Sequence, residues 1–216
     1  MSEIYPIPAR RVHNETIVVN SRFIATLAPV FSVAEAKAFV AEVRAEFSDA
    51  SHNVPAFVVG YGSSVTAHCS DDGEPSGTAG RPALAVLQGS GLGDAAVVVT
   101  RYFGGTKLGT GGLVRAYGDA VRQVLAVVPL AKRVPVHTVM IGLPYNLFEQ
   151  TSLLIEAHAG QLLDKDFAAE VTLTARFPVS ALDAFQSALR ELSHGAREAV
   201  IVETGEVLMP IEAASD

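Results

Sequence analysis

Between residues 15 and 61 the apolar positions change period from two to helical and back. Glu15–Asn20 and Arg22–Ala28 are rich in β-formers and read as a pair of strands joined near Asn20-Ser21. Ser32-Val33-Ala34-Glu35 is a capping box, with Ala36, Val40, Val43 and Phe47 at helical spacing behind it, which predicts a helix over Val33–Phe47. Val54–Tyr61 reads as a third strand, followed by a loop from Gly62 to Gly77 long enough to favour a functional role. A helix is expected over Ala79–Leu87, with Thr78 as its N-cap and Pro82 where an early-helix proline is tolerated. The unbroken run Ala95–Tyr102 (AAVVVTRY) is the pattern of a strand covered on both faces. A last helix places Val114, Tyr117, Val121, Val124 and Val128 on one stripe and ends at Val128-Pro129-Leu130.

Beyond that point the pattern changes, and two domains are expected, 1–130 and 131–216, with the boundary within Val128–Arg133. Val134–Leu143 reads as a strand, and Asn146-Leu147-Phe148-Glu149 as a capping box opening a helix that ends at Gly160. Gln161–Phe167 and Glu170–Phe177 form a hairpin whose second strand alternates Val171, Leu173, Ala175 and Phe177. Ser180 is the expected cap of a helix turning Leu182, Phe185, Leu189 and Leu192 inward, and Glu198–Glu206 closes the domain as a strand. The order β-α-β-β-α-β is the ferredoxin-like arrangement. The fold class is therefore α+β in two domains, and the tail from Ile211 to Asp216 is expected to fray.

Composition narrows the function classes. The chain is 49% hydrophobic and 18% charged, as in a well-packed globular protein. No run approaches the ~18 apolar residues of a membrane span, so no membrane partner is expected. The opening MSEIYPIPARRVHNE lacks the apolar stretch of a secretory signal, and Cys69 is the sole cysteine, so a cytoplasmic protein without internal disulfides is expected. Net charge is −7, with 10 Lys/Arg against 11 Asp/Glu in residues 1–130 and 6 against 12 in residues 131–216. Such a balance argues against loose coating of nucleic acid, whose affinity comes from phosphate neutralisation, but leaves room for a focused patch in the first half.

That patch has a candidate. Residues 70–115 hold 11 of the chain's 18 glycines, in clusters at 73–80, 89–93 and 104–112. Glycine is what a backbone needs where φ is positive or where another group approaches closely. Two clusters run into helices, one through Thr78, Gly80 and Arg81, the other through Gly104, Gly105, Lys107, Gly109, Thr110, Gly111 and Gly112 to Arg115. Helix starts carry unpaired N–H groups and partial positive charge, and so bind anions. From Ser76 to Arg115 the bases are Arg81, Arg101, Lys107 and Arg115 and the only acid is Asp94, four minus one, a local +3. These features read either as an anion-binding face or as plain turn chemistry. Tyr102 and Phe103, flanking the glycines, are positioned to stack a base or to serve the core.

Familiar motifs fail. Gly104–Gly109 has the first spacing of a P-loop, but Thr110 stands where lysine is required. Gly89, Gly91 and Gly93 follow a helix and enter a strand, the reverse of a dinucleotide fingerprint. Asp71, Asp72 and Glu74 put three carboxylates within four residues, suited to Mg²⁺ or to a polar turn. His68 and Cys69 lack the partners of a zinc site or a thiol nucleophile. No catalytic residue is assignable.

The strings SDDGEPSGTAGRP and VVVTRYFGGTKLGTGGLVRAYGDAV, with the ferredoxin-like tail, resemble the Impact/YigZ family over nearly the whole chain. Its signature falls on Ser70, Asp71, Asp72, Gly73, Glu74, Pro75, Gly77, Thr78, Gly80, Arg101, Gly104, Gly105, Leu108, Gly109, Gly111, Gly112 and Leu113. The resemblance implies a first domain folded like the second domain of a small-subunit ribosomal protein and a last domain like that of elongation factor G. It also implies a link to translation, since eukaryotic relatives interfere with activation of an amino-acid-starvation kinase. Those relatives carry an extra N-terminal partner-binding domain that these 216 residues do not contain, so their partner is not expected to carry over. The leading expectation is a translation-linked protein that contacts RNA or a ribosomal surface, with Arg81, Arg101, Lys107 and Arg115 neutralising phosphates beside the helix starts. The alternatives are an enzyme acting on a phosphorylated metabolite or nucleotide with Mg²⁺, and a protein–protein adaptor.

Overall fold

The apolar run Ala95–Tyr102 needs cover on both faces, and the fold supplies it. The computed structural model describes residues 5–62 and 64–211. Its first unit holds the described residues up to Lys132 and those from Met209 onward. In chain order the elements are β1 (Ile7–Pro8), β2 (Val12–Val18), β3 (Ser21–Pro29), α1 (Val33–Glu46), β4 (His52–Val59), β5 (Thr66–Cys69), α2 (Gly80–Gly89), β6 (Ala95–Tyr102) and α3 (Gly109–Val127). The sheet order is β2–β3–β6–β4–β5 with every pair antiparallel, so β6 lies in the middle.

Alternate residues of β6 enter two different cores. Ala96 and Val98 pack with Phe57 under Ala36, Phe39, Val40 and Val43 of α1. Val97 and Val99 pack with Phe23 under Leu87 of α2 and Leu113, Tyr117, Val121 and Val124 of α3. Double cover, rather than parallel pairing, accounts for the unbroken hydrophobic run. Ser32 caps α1 as expected: its Oγ accepts from the Glu35 N–H at 3.1 Å, while Glu35 reaches back one residue beyond the cap, its Oε2 accepting from the Phe31 N–H at 3.0 Å.

Three expectations need correction in this unit. The loop expected over residues 62–77 contains β5, a four-residue polar edge strand too short to leave a period in the sequence. The glycines at 109, 111 and 112 form the first turn of α3 rather than a loop ahead of it. The buried stripe of α3 uses Leu113, while Val114 is 43% exposed, a rotation of one residue.

In the second unit, Arg133–Leu208, β7 (Leu130–Leu143) is followed by a 3-10 turn at Tyr145–Leu147, α4 (Phe148–Ala157), β8 (Gln161–Phe167), β9 (Val171–Pro178), α5 (Val179–Leu192) and β10 (Val200–Pro210). Strands run in the order β10–β7–β9–β8, the ferredoxin-like arrangement. The core joins Ile141, Leu143, Ile155, Leu173, Phe177, Phe185 and Leu189. Two local expectations fail here. Asn146 lies in the 3-10 turn, with no side-chain cap on α4. Ser180 lies inside α5, which starts at Val179 directly after Pro178. Of the tail expected to fray, residues 212–216 lie outside the described residues.

The exit of β6 is tied to the β2–β3 turn. Val19 and Asn20 both have positive φ, 46° and 65°, as a two-residue type I′ hairpin requires. Gly104 lies against this turn, its N–H donating to Ser21 Oγ at 3.2 Å. A Cβ there would sit 2.0 Å from the Asn20 carbonyl oxygen. Gly104→Ala must therefore push backbone against backbone, and the expected loss is about 1–3 kcal/mol in urea unfolding, the range of an overpacked site.

Candidate functional site

The loop between β5 and α2 is shaped by three acidic side chains, each with its own partners. Asp71 folds back over the start of α2. Its Oδ2 accepts from the Gly77 N–H at 2.8 Å, and its Oδ1 from the Ala79 and Gly80 N–H groups at 3.1 and 2.8 Å. Burial works to raise the Asp71 carboxyl, but the three N–H bonds and the charge of Arg81 outweigh it and hold the pKa below the usual carboxylate range. The anion seat at this helix start is thus filled by the chain's own carboxylate. Thr78 does not cap the helix as expected; its hydroxyl donates to the Pro75 carbonyl at 2.7 Å. Gly80 is buried where a Cβ would meet the Ser70 carbonyl oxygen at 2.6 Å, so the loop must cross it closely.

Asp72 holds the loop to the other side of the sheet. Its Oδ1 accepts from Arg44 Nη2 at 2.5 Å and its Oδ2 from the Asn53 N–H at 2.6 Å, while the His52 Nδ1–H donates to its carbonyl at 2.8 Å.

Glu74 goes inward. At 8% exposure it meets Arg101, 5% exposed on β6, and Arg101 Nη1 donates to Glu74 Oε1 at 2.6 Å. The same oxygen accepts from the Tyr117 hydroxyl of α3 at 2.8 Å, and His52 Nε2 lies 3.9 Å away. Burial first, and then the bond to Glu74, raise the Tyr117 phenol far above its ordinary value and keep it protonated. Arg101 Nη2 also donates to Ser21 Oγ at 3.3 Å, and the guanidinium lies 5.5 Å from the ring centroids of both Phe23 and Phe103. Its Nε is buried without a partner among the described residues. Loop, central strand, α3 and the β2–β3 turn thus meet at one ion pair.

Above this pair a hollow of about 300 Å³ opens, lined by Glu74, Pro75, Arg101, Phe103, Lys107 and the α3 start at Leu108–Thr110 with Leu113. Both signature strings reach it. Phe103 is 49% exposed. No side chain caps α3, and Lys107 has no ion-pair partner among the described residues. Of the expected site residues, Arg101, Lys107, Gly109 and Thr110 line the hollow, together with Glu74. Thr78, Gly80, Arg81, Gly104, Gly105, Gly111, Gly112 and Arg115 do not. Arg81 belongs with Asp71, and Arg115 is an exposed residue of α3. Of the two helix starts expected to carry the anion-binding face, that of α3 lines this hollow and that of α2 does not.

The sequence placed Tyr117 on an apolar stripe and Ser21 at a turn, and gave neither these nor His52 a part in the site. Their signal is tertiary: Ser21 and Tyr117 are 80 and 43 residues from the groups they bond. The three carboxylates face separate partners, and among the described residues no group of three or more His, Cys, Asp or Glu is arranged to hold a metal.

Residues 19–125 match the model of the Impact N-terminal domain, and residues 141–196 match that of a domain of unknown function, DUF1949. The chain is 39% identical to the IMPACT family member YigZ of Escherichia coli strain K12 over 93% of its own length and 99% of that protein. It is 37% identical to an IMPACT family member of Haemophilus influenzae over 94% and 98% respectively. A crystal structure described as that of a hypothetical protein superposes with a TM-score of 0.61 at 39% identity, over 94% of this chain and 99% of the other.

Asp71→Asn removes the charge and at least one N–H acceptor, and is expected to cost about 1–3 kcal/mol at neutral pH. Because the folded pKa is depressed, the carboxylate's contribution is complete above the ordinary aspartate range and is lost as pH falls through the folded value. The stability gap between wild type and variant should therefore close below about pH 4. Urea unfolding of both proteins from pH 7 to pH 2 checks this.

Proposed function

The chain belongs to the IMPACT family, and from that premise we propose that it binds single-stranded RNA at the start of α3, as a translation-linked protein. The observation that carries the proposal is the hollow itself. An exposed aromatic ring, an unpaired lysine and the uncapped start of a 19-residue helix surround one opening. Phe103 offers a face on which a base stacks, held from beneath by the Arg101 guanidinium. Lys107 and the N–H groups of Gly109 and Thr110 take the adjoining phosphate. Glu74 does not cancel Lys107, because its charge is already engaged by Arg101 and Tyr117.

A small phosphorylated metabolite is the competing occupant, since about 300 Å³ is the lower end of small-molecule pocket volumes. The Mg²⁺-dependent form of that reading has less support, because Asp71, Asp72 and Glu74 are each bonded to protein donors.

Fluorescence anisotropy with a labelled decauridylate from 50 to 300 mM salt tests the proposal. With one cationic contact, Lys107, the log–log slope should be about −0.7 for a single strand. Lys107→Ala should reduce the slope by about 0.7. Phe103→Ala should weaken binding by about 1–3 kcal/mol without changing the slope. No RNA binding, or binding that neither substitution alters, overturns the proposal; binding of mononucleotides alone favours the metabolite.

A further inference from the structure

A second opening lies on the opposite face of the same sheet. It is a groove of about 690 Å³ between α1 and β5, with Val40 and Phe57 among its apolar walls and Lys37, Arg44 and His68 among its polar ones. Among the described residues no acidic one lines it. Arg44 is engaged by Asp72 at 2.5 Å, whereas Lys37 has no ion-pair partner among the described residues. The floor follows the pleat of β5. His68 packs against Phe57 with ring centroids 5.4 Å apart and planes tilted by 37°; Phe57 belongs to the α1-side core, and Thr66 and Ser70, two residues either way, share that face.

The rim of the groove is an open sheet edge. β5 ends the order β2–β3–β6–β4–β5, and among the described residues it pairs with β4 alone. The Ser70 N–H donates to the Pro55 carbonyl at 3.2 Å, in register with the pairs Ala56–Cys69, Phe57–His68, Val58–Ala67 and Val59–Thr66. In an antiparallel ladder bonded and non-bonded pairs alternate. Phe57–His68 and Val59–Thr66 are therefore the bonded pairs, and the N–H and C=O groups of Ala67 and Cys69 point outward. The edge is only four residues long, but Thr66–Cys69 contains no lysine, no proline and no bulge to block a further strand.

We propose that β5 and this groove form a docking site for an extended acidic peptide segment of a partner protein, which adds a strand beside β5 and directs a carboxylate to Lys37. Main-chain bonds to Ala67 and Cys69 hold the segment, and the groove reads alternate side chains, the division of labour in strand-addition complexes. Charge complementarity selects an acidic segment over a basic one. The site lies apart from the hollow at α3 and does not depend on what binds there.

The full chain and fluorescein-labelled heptapeptides test it by anisotropy, with one peptide alternating valine and glutamate, a second with lysine for glutamate, and a third the glutamate peptide N-methylated at alternate positions. The glutamate peptide should bind at least tenfold more tightly than either of the others. Ala67→Pro removes only an outward N–H, a change an edge strand tolerates, and should weaken binding at least tenfold while the circular-dichroism spectrum and melting temperature hold. Lys37→Glu should reverse the preference between the glutamate and lysine peptides. Equal binding of the three peptides, no binding of any, or unchanged affinity in Ala67→Pro overturns the proposal. So does a dimer in sedimentation velocity that Ala67→Pro dissociates, since the occupant is then a second copy of this chain.

Discussion

The loop before α2, the middle strand, α3 and the β2–β3 turn converge on one buried ion pair, Glu74 with Arg101. Taking two charges out of water costs several kcal/mol each, and only close geometry with further hydrogen bonds offsets it. Tyr117 and Ser21 supply those bonds, and two aromatic rings close around the guanidinium. The demand propagates outward. Glu74 reaches Arg101 only if the loop before α2 takes one shape. Asp71 enforces that shape from the α2 start and Asp72 from Arg44 and Asn53. The acidic run 71–74 is thus three anchors of one loop, each facing a different neighbour.

The glycines divide along the same line. Gly80 and Gly104 are places where backbone must touch backbone, beneath the loop and against the β2–β3 turn. Gly109 and Thr110 instead leave the first turn of α3 bare at the hollow; no atom lies within 4 Å of a Cβ at Gly109, whose φ of 70° is what calls for glycine. The structural glycines hold the ion pair, and the ion pair holds Phe103 and the α3 start in place around the opening.

Much of the fold was legible because its signals are long. β6 spans Ala95–Tyr102 as read from its unbroken apolar run, and the β-α-β-β-α-β order followed from clear switches of period. What escaped the sequence was short or tertiary. Four residues of β5 leave no period, Asp71 caps a helix from nine residues upstream of Gly80, and Pro178 rather than Ser180 marks the start of α5. The site was legible as two glycine-rich strings with a local positive balance. Which members meet was not, because Arg81 was drawn to Asp71 while Lys107 stayed by the hollow. The groove beside β5 gave no signal, since its floor is polar and its edge is defined only by the absence of a neighbouring strand.

The most direct test of the central claim is a double-mutant cycle of Glu74→Gln and Arg101→Met by urea unfolding. Each single change strands a buried charge and should cost about 3–5 kcal/mol. The double change strands none and should fall short of the sum by about 2 kcal/mol or more, within the range of coupled neighbours. Costs that add to within about 0.5 kcal/mol would show the two side chains acting independently, and would contradict the account.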